Sequence, residues 1–200
     1  MPRSYSMANR SRMTADTRER ILDAAVAVLI RTGPEALTMP AVAEQADVAL
    51  RTVYNHFPSR EVLAVAAYDR LAGATQQAVA GLATDGTPRE RLARFVEAFC
   101  MSLEHESPGA AVIMATASIP EVDQRIREVR AWRRQEIAEI LRAAKREGAL
   151  CVPLEQGIAL TFVATSYATW QSLTVECALS PAVAIKLLQT TVDRRLFEPE

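Results

Sequence analysis

Three observations predict an all-α protein. Apolar residues recur at spacings of three and four along most of the 200 residues, helix-start signals stand before those runs, and neither an alternating apolar–polar pattern nor an Asn-Gly hairpin signal occurs. Half of the residues are apolar and the formal net charge is −1. That supports one or two small domains with a real core and argues against wholesale coating of a polyanion, so any nucleic-acid surface has to be local.

Residues 1–13 carry Arg3, Arg10 and Arg12 with no acid, and are expected to form a disordered basic arm able to lie along or in a minor groove. The competing reading is a start-site extension, because Met7 and Met13 are alternative starts. Asp16 and Glu19 can cap each other at the start of a first helix, in which Ile21, Ala24, Ala25, Val28 and Leu29 share a face until Gly33 ends it. Thr38 is an N-cap, Pro40 fits the first turn, and Val42, Ala43 and Ala46 line one side of a second helix. At Asp47 the chain must turn sharply, and Asp enters the left-handed region at modest cost. A short helix from Leu50 to Phe57 follows, with Val53 and Phe57 inward and Leu50, Arg51, Thr52, Asn55 and His56 outward. Such a helix suits a major groove about 12 Å wide, where Arg and Asn read guanine and adenine edges in bidentate fashion.

Ser59 caps a fourth helix that runs through Tyr68 and Leu71 to about Leu82. After the break at Thr84-Asp85-Gly86, the run Thr87-Pro88-Arg89-Glu90 combines a cap, a first-turn proline and an acid at the third helical position. The fifth helix therefore starts there and carries Leu92, Phe95, Val96, Phe99, Cys100 and Leu103. Glu106 to Gly109 interrupts the pattern and a short helix over about 109–118 is expected. Ile119-Pro120 opens a long helix to Glu147, stopped by Gly148, with the pairs Glu121/Arg125 and Asp123/Arg127 on a solvated face. Arg125 and Arg127 read as surface and not as a second DNA site. The segment 153–176 is apolar nearly all round and must be covered on more than one side; Ser180-Pro181 then starts a last helix striped by Val183, Leu187, Leu188, Thr191 and Val192. These two segments, 153–176 and 181–197, are expected to close a homodimer.

Several classes of function find no support. No apolar run reaches the ~18 residues of a membrane span, and the N-terminus lacks the continuous apolar segment of a secretory signal, so a cytoplasmic place is expected. Cys100, Cys151 and Cys177 are odd in number and far apart, which predicts buried thiols in preference to a disulfide, a metal site or a redox sensor. With two histidines, no glycine-rich phosphate loop and no nucleophile elbow, neither an enzyme nor a cofactor is expected. A pure protein-interaction scaffold leaves the outward Arg51, Thr52 and Asn55 without a role.

The pieces ERILDAAVAVLIRTG, LTMPAVAEQADV and TVYNHFPSREVL, in that order between residues 16 and 66, resemble the TetR/AcrR family of bacterial transcriptional regulators. The resemblance implies a helix-turn-helix DNA-binding domain over residues 14–60 and a helical ligand-binding and dimerisation domain over 61–200. It implies that Leu50, Arg51, Thr52 and Asn55 face base edges, while Thr38, Tyr54, His56 and Arg60 hold phosphates. It further implies a ligand-responsive homodimeric repressor on a roughly palindromic operator, the alternative being a helical interaction or redox-sensing regulator with no small-molecule inducer. A small apolar or amphipathic ligand would lie among the later helices, where Phe95, Phe99, Met114 and Trp132 would line the pocket and Arg94, His105 or Thr116 would orient it; each of these reads equally well as ordinary core. Three departures stand out. Many relatives have Gly where this chain has Asp47 and a capping Ser or Thr where it has Ala49, and Pro40 replaces a groove-facing Arg found in some.

Overall fold

The computed structural model describes residues 3–80, 82, 85–105 and 119–198, all of them helical or in turns and connections. The helices are α1 (Arg3–Thr32), α2 (Met39–Ala46), α3 (Leu50–His56), α4 (Arg60–Ala80), α5 (Pro88–His105), α6 (Pro120–Arg146), α7 (Leu154–Ala164), α8 (Tyr167–Gln171) and α9 (Pro181–Phe197). A 3-10 turn at Pro34–Ala36 precedes α2, and a π turn at Ser172–Glu176 extends α8. No strand occurs among the described residues. The short helix expected over 109–118 lies outside them.

The described residues fall into two compact units, the chain up to Ala72 with 119–125, and Gly73 to 105 with Ile126 to 198. The first unit is built on Ile21, Ala25 and Leu29 of α1, Leu37, Val42 of α2, Val53 of α3, Phe57 and Leu63, all of them buried. Two expectations are corrected here. The arm over 1–13, expected to be disordered, is helical from Arg3, because no proline or glycine stands between Pro2 and Gly33 to stop α1. The Asp16–Glu19 cap is therefore not used, and Glu19 instead accepts from Arg70 Nη1 at 2.7 Å. The division between the two compact units falls after Ala72. Leu63, Ala64, Ala67, Tyr68 and Ala72 of α4 are buried, and Arg70 also reaches Asp23 of α1 at 2.8 Å, so the first half of α4 packs as part of the first unit.

In the second unit, α5, α6, α7, α8 and α9 close around Leu92, Phe95, Val96, Phe99, Cys100, Ile137, Leu141, Ile158, Trp170, Leu188 and Leu196. The capping pair foreseen at its start forms in both directions. Glu90 N donates to Thr87 Oγ1 at 3.3 Å and Thr87 N donates to Glu90 Oε2 at 2.8 Å. Hydrogen bonding from Thr87 holds the Glu90 carboxyl below its ordinary pKa, the Thr87 backbone N–H contributing most and its side chain next. Gly157 lets α7 pack closely, since a Cβ there would come within 3.2 Å of both Leu141 Cδ1 and Leu196 Cδ2.

The single helix expected over 153–176 is broken at Thr165–Ser166. Ser166 leaves helical geometry (φ −84°, ψ 150°) and its hydroxyl accepts from Thr169 N at 3.2 Å, capping α8. Thr161 and Thr165 turn their hydroxyls back onto Gly157 O and Thr161 O, at 2.9 and 2.8 Å, a contact that bends helices. The cysteine expectation holds for Cys100 alone, whose burial pushes its thiol up to about 12. Cys151 and Cys177 are exposed, one in the connection before α7 and the other at the end of the π turn, where no core covers them.

Candidate nucleic-acid interface

The α2–turn–α3 unit follows from three local choices. Thr38, extended at φ −120°, accepts from Ala41 N at 3.3 Å and opens α2. Asp47 ends α2 in the left-handed region (φ 51°, ψ 55°), and Val48 N then reaches Ala43 O at 3.0 Å. Ala49, which has no capping side chain, lets the chain enter α3 with Thr52 N bonded to its own carbonyl at 2.8 Å. On α3, Val53 and Phe57 point into the core, while Leu50, Arg51, Tyr54 and Asn55 are exposed and Thr52 and His56 half-buried. The exposed Leu50 and Tyr54, 41% and 48% open, give this face an apolar component between its hydrogen-bonding groups. Such a mixture can meet a thymine methyl and a base edge together.

Three arginines that frame this helix act on the protein itself. Arg60, expected to hold a phosphate, donates from Nε to Leu37 O at 2.7 Å and from Nη2 to Pro34 O at 2.9 Å, clamping the start of α4 to the turn before α2. Arg20 of α1 donates to Ala46 O at 2.7 Å and satisfies a carbonyl left open at the end of α2. Arg18 stacks its guanidinium 5.0 Å from the centre of the Phe57 ring. Arg18 and Arg20 went unnoticed in the sequence. Their only signal was their place one turn before the buried face of α1, where a long side chain can fold over a neighbouring helix. Thr38 is exposed but engaged as a cap, so its hydroxyl is already directed at the backbone.

The residues expected to line a ligand pocket belong to the second unit. Phe95 and Phe99 are buried with ring centres 6.0 Å apart and planes 24° from parallel, and Trp132 packs half-buried against the same cluster. Met114 and Thr116 lie outside the described residues, as does the side chain of His105. Arg94 donates from Nη2 to Asp85 O just before α5. A cavity of about 10 Å³ between α5 and α9, lined by Leu92, Ala93, Val96, Gln189, Val192 and Phe197, has room for a single water and not for an inducer.

Arg125 and Arg127 of α6 are half-buried and exposed, whereas one further arginine of that helix carries a buried charge. Arg133 is only 7% exposed, its Nη1 donates to Thr165 O at 2.7 Å, and its guanidinium lies 4.9 Å from the Phe99 ring and 4.0 Å from the Phe162 ring. Spacing could have revealed it, because Ile126, Arg133, Ile137 and Leu141 fall on one helical stripe. Among the described residues no group of three metal-ligating side chains occurs, and no helix is long and apolar enough to cross a membrane.

Comparison with known proteins agrees with this geometry. The family model for bacterial regulatory proteins of the tetR family matches residues 21–67. The HTH-type transcriptional repressor KstR of Mycobacterium tuberculosis is 38% identical over 120 residues, covering 54% of this chain and 53% of its own. The repressor of the same name from Mycolicibacterium smegmatis is 45% identical over 82 residues, 38% of either chain. This chain thus spans about half or less of the length of these curated relatives. A tetR-family regulatory protein from Rhodococcus superposes with a TM-score of 0.74 at 18% identity, covering 90% of this chain and 97% of that one. A transcriptional regulator from Saccharomonospora viridis, solved in complex with choline, superposes at 0.72 and 22% identity, with 92% and 99% covered.

Proposed function

We propose that this chain, whose residues 21–67 match the family model for bacterial regulatory proteins of the tetR family, is a sequence-specific DNA-binding transcriptional repressor acting as a homodimer. The observation that carries the reading is α3, a seven-residue helix anchored by buried Val53 and Phe57 with Arg51, Tyr54 and Asn55 turned to solvent. In this reading Leu50, Arg51, Thr52 and Asn55 meet base edges, and Tyr54 and His56 meet phosphates. Arg60 supports the interface from behind by holding the turn that leads into α2.

The homodimer is supported by apolar side chains that the second unit leaves open. Val163, Val175, Val183 and Leu187 are 46–66% exposed, all on the segments expected to pair, while Ala184, Leu188 and Val192 of α9 serve the chain's own core. A two-fold dimer of reading heads requires a roughly palindromic operator, its half-sites about 34–36 Å apart. A small-molecule inducer can weaken binding only by preferring the conformation in which the two heads miss successive grooves. That one structural neighbour was solved with choline supports a ligand-binding role for the second unit. The domain division proposed is reading head up to Ala72 and ligand-binding and dimerisation domain beyond it.

Selection of bound sequences from a random DNA pool tests the reading directly. A palindromic consensus is expected. Arg51→Ala and Asn55→Ala should each weaken binding to it by about 1–3 kcal/mol while leaving random DNA nearly unaffected. Equal losses on both DNAs would refute base reading by α3.

A further inference from the structure

The first turn of α3 carries an apolar side chain that the protein leaves open. Leu50, Val53 and Phe57 are spaced by three and four along the chain, the spacing of one helical stripe. Val53 and Phe57 are buried, whereas Leu50, the first residue of the helix, is 41% exposed, so the stripe runs out past the core at that end. Ala49 before it is exposed too, extended at φ −65° and ψ 142°, and brings no side-chain cap. Arg51 is then the one exposed side chain of the first turn that can hydrogen-bond. Scattered apolar side chains are ordinary on a surface, and Ile30 of α1 is one. Leu50 differs in its place, because a recognition helix lays its N-terminal residues against base edges. A leucine there offers neither donor nor acceptor. The major-groove edges of the four bases present donors and acceptors, and thymine alone adds an apolar group, its C5 methyl.

We infer that Leu50 reads the C5 methyl of a thymine in each operator half-site, packing on it while Arg51 takes a hydrogen-bonding base edge. This rests on the reading of the chain as a DNA-binding repressor whose α3 enters the major groove. Two properties separate such a contact from hydrogen-bond readout. It recognises the methyl group and not the base pair that carries it, so 5-methylcytosine can stand in for thymine. It also neutralises no phosphate, so its discrimination does not depend on salt.

The test takes the palindromic consensus that the full chain selects from a random DNA pool. Each thymine of the half-site is replaced in turn, in both halves, by deoxyuridine, by cytosine paired with guanine, and by 5-methylcytosine paired with guanine. At one position deoxyuridine is expected to weaken binding about fourfold per half-site, and so about sixteenfold for the pair, the effect of returning one methyl-sized group to water. There 5-methylcytosine should bind more tightly than cytosine by the same factor. The ratio of thymine to deoxyuridine affinity should hold from about 50 to 200 mM salt while both affinities fall. Leu50→Ala should bring that ratio to about one and Leu50→Met should keep most of it. Alanine is as good a helix former and the side chain it replaces is open, so α3 is expected to persist, with circular dichroism as the check. A half-site without thymine, affinity indifferent to deoxyuridine at every position, or an undiminished ratio in folded Leu50→Ala would each overturn the inference. If Leu50→Ala does not fold, the base series on the parent protein decides, and a deoxyuridine loss that the cytosine pair does not mirror overturns it. Failure to select any consensus removes the premise, whereas a consensus without a methyl effect removes this inference alone.

Discussion

Replacing Arg60 by Ala distinguishes a clamp from a phosphate contact. The side chain makes two charge-assisted bonds to main-chain carbonyls, 2.7 Å to Leu37 O and 2.9 Å to Pro34 O, in partly buried surroundings. A hydrogen bond to a charged group contributes roughly 1.5–3 kcal/mol when well shielded. Partial exposure and the second donor already on Pro34 O, Leu37 N at 3.2 Å, lower the combined loss to about 2 kcal/mol. Urea unfolding followed by circular dichroism measures that loss. Operator affinity should fall too, since α2 loses the fixed turn that leads into it, but the dependence of log K on log salt should keep its slope. A phosphate contact behaves oppositely, with stability unchanged and the slope reduced by about 0.9. That second pattern, seen by fluorescence anisotropy across a salt series, would refute the clamp.

Other consequences are equally direct. Leu187→Asp places charge on the open apolar face of α9 and should convert dimer to monomer in sedimentation at micromolar concentration, abolishing operator binding with helix content retained; an unaltered dimer would locate the interface elsewhere. The Glu90 carboxyl, held below its ordinary 4.5 by Thr87, contributes stability that is present above that value and lost as pH falls through its folded value. The stability gap between parent and Glu90→Gln should therefore shrink on acidification below about pH 4.5, and a gap independent of pH would show that the cap carries no charge effect. A thiol-specific disulfide reagent at pH 8 should titrate Cys151 and Cys177 rapidly and leave Cys100 until unfolding, because burial holds that thiol up to about 12.

Much of the reading head was legible because its determinants are local. Thr38 caps the next turn, Asp47 tolerates a positive φ, and Val53 with Phe57 lies one helical turn apart, so each signal sits within a few residues of the feature it creates. The Thr87–Glu90 cap and the stop at Gly148 (φ 70°) were visible for the same reason. What the chain's linear order hides is which distant groups meet. Asp16 and Glu19 form a valid capping signal, yet the helix continues back to Arg3 and Glu19 turns to Arg70, 51 residues away. Local propensity is worth only a fraction of a kcal/mol per residue, so an uninterrupted helix and a tertiary partner outweigh it. Arg60 carries the same charge whether it meets a phosphate or two carbonyls, and only the approach of α4 to the turn before α2 decides between them. Likewise the stripe on α9 announced an apolar face, but α5 and α7 cover Leu188 and Val192 and leave Val183 and Leu187 open. Arg133 shows the limit most clearly. Its position on the α6 stripe was readable, but a charge can be buried there only because Phe99, Phe162 and the Thr165 carbonyl, drawn from two other helices, surround it.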